Sequence, residues 1–173
     1  MPCNIINADP LCRSGCPSRW CCSFNDKFAT PYLLKDEVKR IGDLTGRDDF
    51  FMKSGPYCQL KVSVNGYCIF FDTDGSSCGI YNARPFECFI YPFDFYAPTD
   101  DFAFWYLWEC HFSLSLDDES IEEVLSYLEN NFRREILEYW DFDEIVDPKN
   151  PKGYRFLRKL NLKKNTGRLS LSK

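Results

Sequence analysis

The sequence predicts a small single domain of the α+β class, in which short β-hairpins carry cysteines from separated segments and a C-terminal helix packs behind them. Three observations predict it. Strand-like stretches surround Asn65-Gly66 and the P-T-D-D run at 98–101, both of which read as hairpin turns. An apolar stripe at helical spacing runs from Ile121 to Leu137. The 173 residues are 45% apolar and 17% aromatic, which suffices for one hydrophobic core and makes cross-links unnecessary on size grounds. The body is assigned to residues 1–148 and a basic tail to 149–173.

In chain order, L-C-R-S-G-C-P-S-R-W-C-C brings Cys12, Cys16, Cys21 and Cys22 within eleven residues. Such a cluster serves a metal or a set of disulfides. After Pro31, Leu34, Val38 and Ile41 recur at helical spacing, with Gly42 expected to close the helix and Gly46 and Asp48-Asp49 to form the next loop. From Cys58 to Phe71 the chain alternates around Asn65-Gly66. A two-residue turn there pairs Val64 with Tyr67, Val62 with Ile69 and Leu60 with Phe71, and turns Cys68 to the opposite face, where it suits a ligand better than a core residue.

Asp74-Gly75 marks a turn, and Cys78 precedes the strand-like Gly79-Ile80-Tyr81. Pro85 suits the first turn of a helix that carries Cys88 and is limited by Pro92. The second hairpin spans 93–108, and the shared parity of Phe102, Phe104, Tyr106, Trp108 and Cys110 reads as an aromatic core face. The residues around it are not basic, which argues against a base-stacking platform. His111, the one histidine, is read as a neighbour of the cysteines or a surface residue. The long helix starts at Ser115 or Asp117, where acidic residues suit its positive end, and a short helix is expected around Arg155 to Leu162.

Charge is unevenly shared. Residues 149–173 carry nine basic side chains and no acid, whereas residues 1–148 carry 12 basic and 26 acidic ones. The tail is expected to fold along its own acidic body rather than to bind nucleic acid, since it holds no recognisable nucleic-acid motif. No apolar run nears the roughly 20 residues that span a bilayer, and the opening M-P-C-N-I-I-N-A-D-P has no signal-peptide pattern. A soluble cytoplasmic protein with no membrane partner is expected. In that compartment thiols stay reduced, and clustered cysteines are metal ligands or redox groups more often than bridges.

Several thiolates are stabilised together when a metal replaces their protons. Adjacent Cys21 and Cys22 do not easily reach one ion from a relaxed backbone. They fit a multinuclear site, two neighbouring sites, or one ligand beside a thiol that does not touch the metal. Zinc and iron–sulfur clusters both use thiolates. One histidine leaves little scope for general base chemistry near neutral pH.

The motifs C-x3-C-x4-C-C and Y-C-I-F-F-x6-C-G-I-Y-x2-R-P-x2-C-x3-P, with P-Y-L-L-K-D-E-V from Pro31 between them, resemble the cysteine-cluster (YkgJ-type) family, described as zinc- or iron-chelating. That resemblance implies a zinc or iron (iron–sulfur) cofactor and a ligand set of Cys12, Cys16, Cys21, Cys22, Cys68, Cys78 and Cys88, with Cys110 as an eighth. Cys3 and Cys58 fall outside the pattern. Arg84 would orient the site, and Pro85 would set the turn that presents Cys88. Two alternatives accompany this reading. The family resembles flagellin lysine N-methylases, which suggests S-adenosylmethionine-dependent methyl transfer, but the chain has no recognisable glycine-rich loop for that cofactor. A thiol redox role is the other, although no C-x-x-C motif occurs in the chain.

Overall fold

A computed structural model of the chain describes residues 20–24, 30–140 and 153–162. Cys12 and Cys16, like Cys3, lie outside the described residues. Helices and strands mix as an α+β fold requires. Strand β1 (Tyr32–Leu33) leads into α1 (Lys35–Thr45), then β2 (Phe51–Ser54) and β3 (Tyr57–Leu60) form a hairpin. These strands make an antiparallel sheet of order β1-β3-β2. A minimal hairpin of β4 (Phe71–Asp72) and β5 (Ser77–Cys78) follows, then the short helix α2 (Phe86–Ile90). The second half consists of β6 (Phe93–Thr99), β7 (Phe102–Trp108), α3 (Asp118–Asn131), α4 (Arg133–Tyr139) and β8 (Tyr154–Lys159), with a sheet of order β6-β7-β8.

Helix α1 runs one turn past the expected stop. Gly42 stays inside it, and Gly46, at φ 66°, takes the left-handed closing position with its N–H on the Gly42 carbonyl at 2.8 Å. The hairpin expected from Cys58 to Phe71 is corrected twice. Its first arm, Tyr57–Leu60, pairs with β2 across the Gly55-Pro56 turn and with β1. Beyond it, Val62 faces Cys68 rather than Ile69, and the Ser63 carbonyl accepts from Gly66 N–H at 2.9 Å. The loop therefore holds three residues, with Gly66 at φ 80°, a bulged turn instead of the two-residue type. One residue of slip reverses both faces. Val64 is fully exposed, and Cys68 is buried with Leu60 and Ile80.

The 93–108 hairpin forms as expected, with Thr99 opposite Phe102, but its core face is the other one. Ala103, Trp105 and Leu107 point into the main core, while Phe102, Phe104, Tyr106 and Trp108 form a separate aromatic layer with Tyr154 and Phe156 of β8. Both parities are apolar here, so alternation alone cannot say which faces inward.

The apolar stripe of the long helix is buried at Ile121, Val124, Leu125, Leu128 and Ile136. Asp117 caps it by accepting Ser120 N–H at 2.8 Å. Phe132 leaves helical geometry at φ −122°, splitting the stretch into α3 and α4 while its ring packs 4.8 Å from that of Phe89. The short helix expected at Arg155–Leu162 is instead strand β8, which extends the sheet beside β7. Its alternation of Tyr154 and Phe156 with cations suits a strand with one aromatic face. Arg158 pairs with Glu122 at 2.9 Å and with buried Glu129 at 2.8 Å, and Arg155 with Asp118 at 3.6 Å, so this basic segment does lie along acidic helix α3.

The main core fills the space between the β6-β7-β8 sheet and helices α2, α3 and α4. A smaller core gathers Leu33, Ile41, Phe50, Leu60, Cys68 and Ile80, with Cys58, Cys78 and Cys88 packed against it. Three of the candidate ligands, Cys68, Cys78 and Cys88, thus lie in or against the smaller core. No helix among the described residues is long and apolar enough to cross a membrane.

Candidate metal centre

Three segments, distant in sequence, deliver the sulfurs. Residues Trp20–Cys22 form a 3-10 turn that docks on the strand-like segment 66–68. Phe24 N–H donates to the Gly66 carbonyl and Cys68 N–H to the Cys22 carbonyl, both at 2.8 Å, which sets Cys22 beside Cys68. The second segment supplies Cys68 and Cys78. Phe71 N–H donates to the Cys68 carbonyl, Gly79 N–H donates to the Phe70 carbonyl, and Cys78 faces Phe71 across β4-β5. The third supplies Cys88 from α2.

The Cys21 and Cys22 sulfurs lie 4.0 Å apart. Two thiolates on one tetrahedral zinc ion would be separated by about 3.8 Å, given Zn–S bonds of about 2.3 Å. The 3-10 turn therefore brings the adjacent sulfurs closer together than a relaxed backbone was expected to. As a donor set, soft thiols at this separation fit zinc or iron. Among the described residues, however, no group of three or more His, Cys, Asp or Glu side chains converges tightly enough to hold a metal ion.

Electrostatics nevertheless ties five thiols together. The hydrogen bond with Cys22 favours the Cys21 thiolate and, with a smaller contribution from the Arg84 guanidinium, holds Cys21 below the ordinary thiol range against the opposing effect of burial. The same bond raises Cys22, and burial and the neighbouring Cys21, Cys88 and Cys68 raise it further. Burial pushes Cys68 up to about 11, with Cys78 and Cys21 adding to the shift. Cys88 is raised well above the ordinary value by burial and then by Cys68, Glu87, Cys21 and Cys78. Four of these five cysteines are only partly buried as residues. They are still surrounded mainly by protein rather than water, so crowding several thiolates there is costly without a cation.

Arg84 is the cation that favours the Cys21 thiolate. Its guanidinium lies 4.0 Å from the centroid of the Tyr81 ring and 5.2 Å from that of Phe89, and it donates to the Tyr81 carbonyl at 2.8 Å. It thus ties the turn before α2 to its own side chain. Pro85, expected in the first turn of the helix, stands one residue before it at the cap of α2.

Cys110 follows β7 in a local turn, where its sulfur accepts from Ser113 N–H at 3.4 Å and its own N–H donates to Ser113 Oγ at 2.8 Å. Cys58 lies in β3 opposite Lys53 and Leu33. All seven described cysteines are free of disulfides.

Sequence reading missed the carboxylates around the site. Glu37 is buried in α1, where burial raises it to about 7. Glu87, directly before Cys88, is raised to about 8 by burial and then by Asp94. The available signal was positional, since Glu37 stands three residues after Leu34 at the helix start, where a carboxylate reaches back to backbone N–H.

A family model described as "CxxCxxCC: Putative zinc- or iron-chelating domain" matches residues 11–111. No curated protein and no solved structure matches the chain significantly.

Proposed function

The chain belongs to the CxxCxxCC family, whose domain is described as zinc- or iron-chelating, and from that premise we propose that it holds zinc or an iron–sulfur cluster through a multi-cysteine site. The donors are Cys12, Cys16, Cys21, Cys22, Cys68, Cys78 and Cys88, with Cys110 as the eighth. The observation that carries this reading is that three segments bring cysteines together, the Cys21 and Cys22 sulfurs 4.0 Å apart, Cys68 N–H donating to the Cys22 carbonyl, and Cys68, Cys78 and Cys88 in or against one small core. Protonated, these thiols fill a protein-enclosed space with weak hydrogen-bonding groups. A bound metal would replace their protons and neutralise the thiolates, so binding free energy would become folding free energy for the smaller core. A reducing compartment such as the cytoplasm keeps the donors available.

Elemental analysis and absorption spectroscopy of the full chain, purified without oxygen, test the proposal. Zinc would be colourless and an iron–sulfur cluster would absorb in the visible. Cys68→Ser or Cys88→Ser should strip the metal while Cys58→Ser keeps it. Wild-type protein containing neither zinc nor iron would overturn the reading.

A further inference from the structure

We infer that two carboxylates exchanged between the β1–α1 segment and α2 brace the segment that presents Cys88, and that Glu37 and Arg40 are positioning residues of the metal centre; the inference rests on the metal reading above. Helix α2 has only five residues, too few to hold its shape unaided. Proline at 85 brings no N–H, and the first N–H groups of a helix have no partner within it. Glu37 supplies one from α1. Its Oε1 accepts Phe86 N–H at 2.6 Å, while Oε2 accepts Leu34 N–H at 2.9 Å, so one side chain joins the starts of both helices. Glu87 returns the contact, accepting Tyr32 N–H of β1 at 2.8 Å. Arg40, one turn after Glu37, pairs with it at 3.4 Å and donates to the carbonyls of Ala83 at 2.8 Å and Arg84 at 3.4 Å. Residues 32–40 and 83–87 are thereby latched in both directions, immediately before Cys88.

The burial of Glu37, only 4% exposed, is the feature that calls for this explanation. An apolar residue would fill the space at no desolvation cost, whereas a buried carboxylate is retained where its hydrogen bonds fix geometry. The geometry fixed here is the approach of α2 to the cysteine cluster.

The test compares full-length wild type, Glu37→Ala, Arg40→Met and Leu128→Ala, the last a fully buried residue of the main core. Zn(II) affinity is read by chelator competition, site geometry by the Co(II) absorption spectrum, and Cys88 access in metal-free protein by alkylation and mass spectrometry. Glu37→Ala should weaken Zn(II) binding by about tenfold or more, as loss of a ligand's supporting hydrogen bonds does. It should also alter the Co(II) spectrum and speed Cys88 alkylation, while Leu128→Ala changes none of these at a temperature where it is folded. A folded Glu37→Ala with wild-type affinity, spectrum and alkylation rate would overturn the brace. Should Glu37→Ala not fold, Arg40→Met decides by the same readouts, because it removes contacts made by a side chain that is only partly buried. If wild type binds neither Zn(II) nor Co(II), the metal reading fails by itself, and Cys88 alkylation alone then supports or overturns the brace.

Discussion

The two cores of this protein solve the same problem with different materials. The larger is built from aromatic and aliphatic groups, with Trp105, Leu125, Leu128 and Ile136 fully buried between a three-stranded sheet and helices. The smaller has six buried apolar residues, counting Cys68, and surrounds them with thiols and two-residue strands. A hydrophobic core of the first kind stabilises itself by removing apolar area from water. The second sets fewer fully buried apolar residues beside several thiols. The contrast teaches that the aromatic half can rest on apolar burial alone, whereas the cysteine half must also accommodate several crowded thiols.

Removing metal should separate the halves most strongly. Chelation of metal-loaded protein is expected to raise hydrogen exchange across residues 58–88 while leaving 118–139 protected, read by exchange mass spectrometry; uniform deprotection would mean the two cores are one cooperative unit. Next in size is Trp105→Ala, which leaves a cavity beneath Phe95, deletes the Nε1 hydrogen bond to Glu129 at 2.8 Å and should cost about 3–5 kcal/mol in denaturant unfolding. The loss should be equal with and without metal.

Changing pH should then move the stability of the larger half and the metal affinity in opposite directions. Asp94, on β6 of the larger half, is raised from 3.8 to about 7 by burial, even though it accepts from Trp108 Nε1 and Phe95 N–H. The folded state then binds more protons than the unfolded state between those two values. Its contribution is fully present below the unfolded pKa and is lost as pH rises through about 7. Metal affinity should increase over the same range, because binding releases thiol protons. Melting metal-free protein from pH 5 to pH 8 should show the decline, and Asp94→Asn should lessen it while Glu37 and Glu87, raised to about 7 and about 8, supply the remainder, whereas a flat wild-type profile would contradict the assignment. The smallest effect is expected from Arg155→Ala, which breaks an exposed pair of 3.6 Å with Asp118 and should leave the unfolding midpoint unchanged within error.

The sequence made the larger half more legible than the smaller. Ile121 to Leu128 follow a single periodicity, and the 93–108 hairpin has an unambiguous turn. Where reading failed, two patterns competed. Residues 102–108 are apolar on both faces, so only the partner surface decides that Ala103 and Trp105 face the helices. Asn65-Gly66 permits both a two-residue and a bulged three-residue turn, and docking of Ser23 and Phe24 on Tyr67 and Gly66 accompanies the second. The Gly55-Pro56 turn, a breaker in plain view, would have separated β2 from β3. For the site, the cysteines and Arg84-Pro85 were visible as motifs. Glu37 and Glu87 were not, because their roles arise only when α1 and α2 meet.

Glu129 accepts at one oxygen from Trp105 Nε1, Arg158 and the Asn161 N–H. That junction sets a practical limit on dissection. A fragment cut to the family-matched residues 11–111 would discard α3, α4 and β8, leaving the Trp105 indole without its cover and β7 as an open sheet edge. The excised cysteine region should therefore be recovered as aggregate, and the residues through Leu162 belong in any expressed form whose metal chemistry is to be measured.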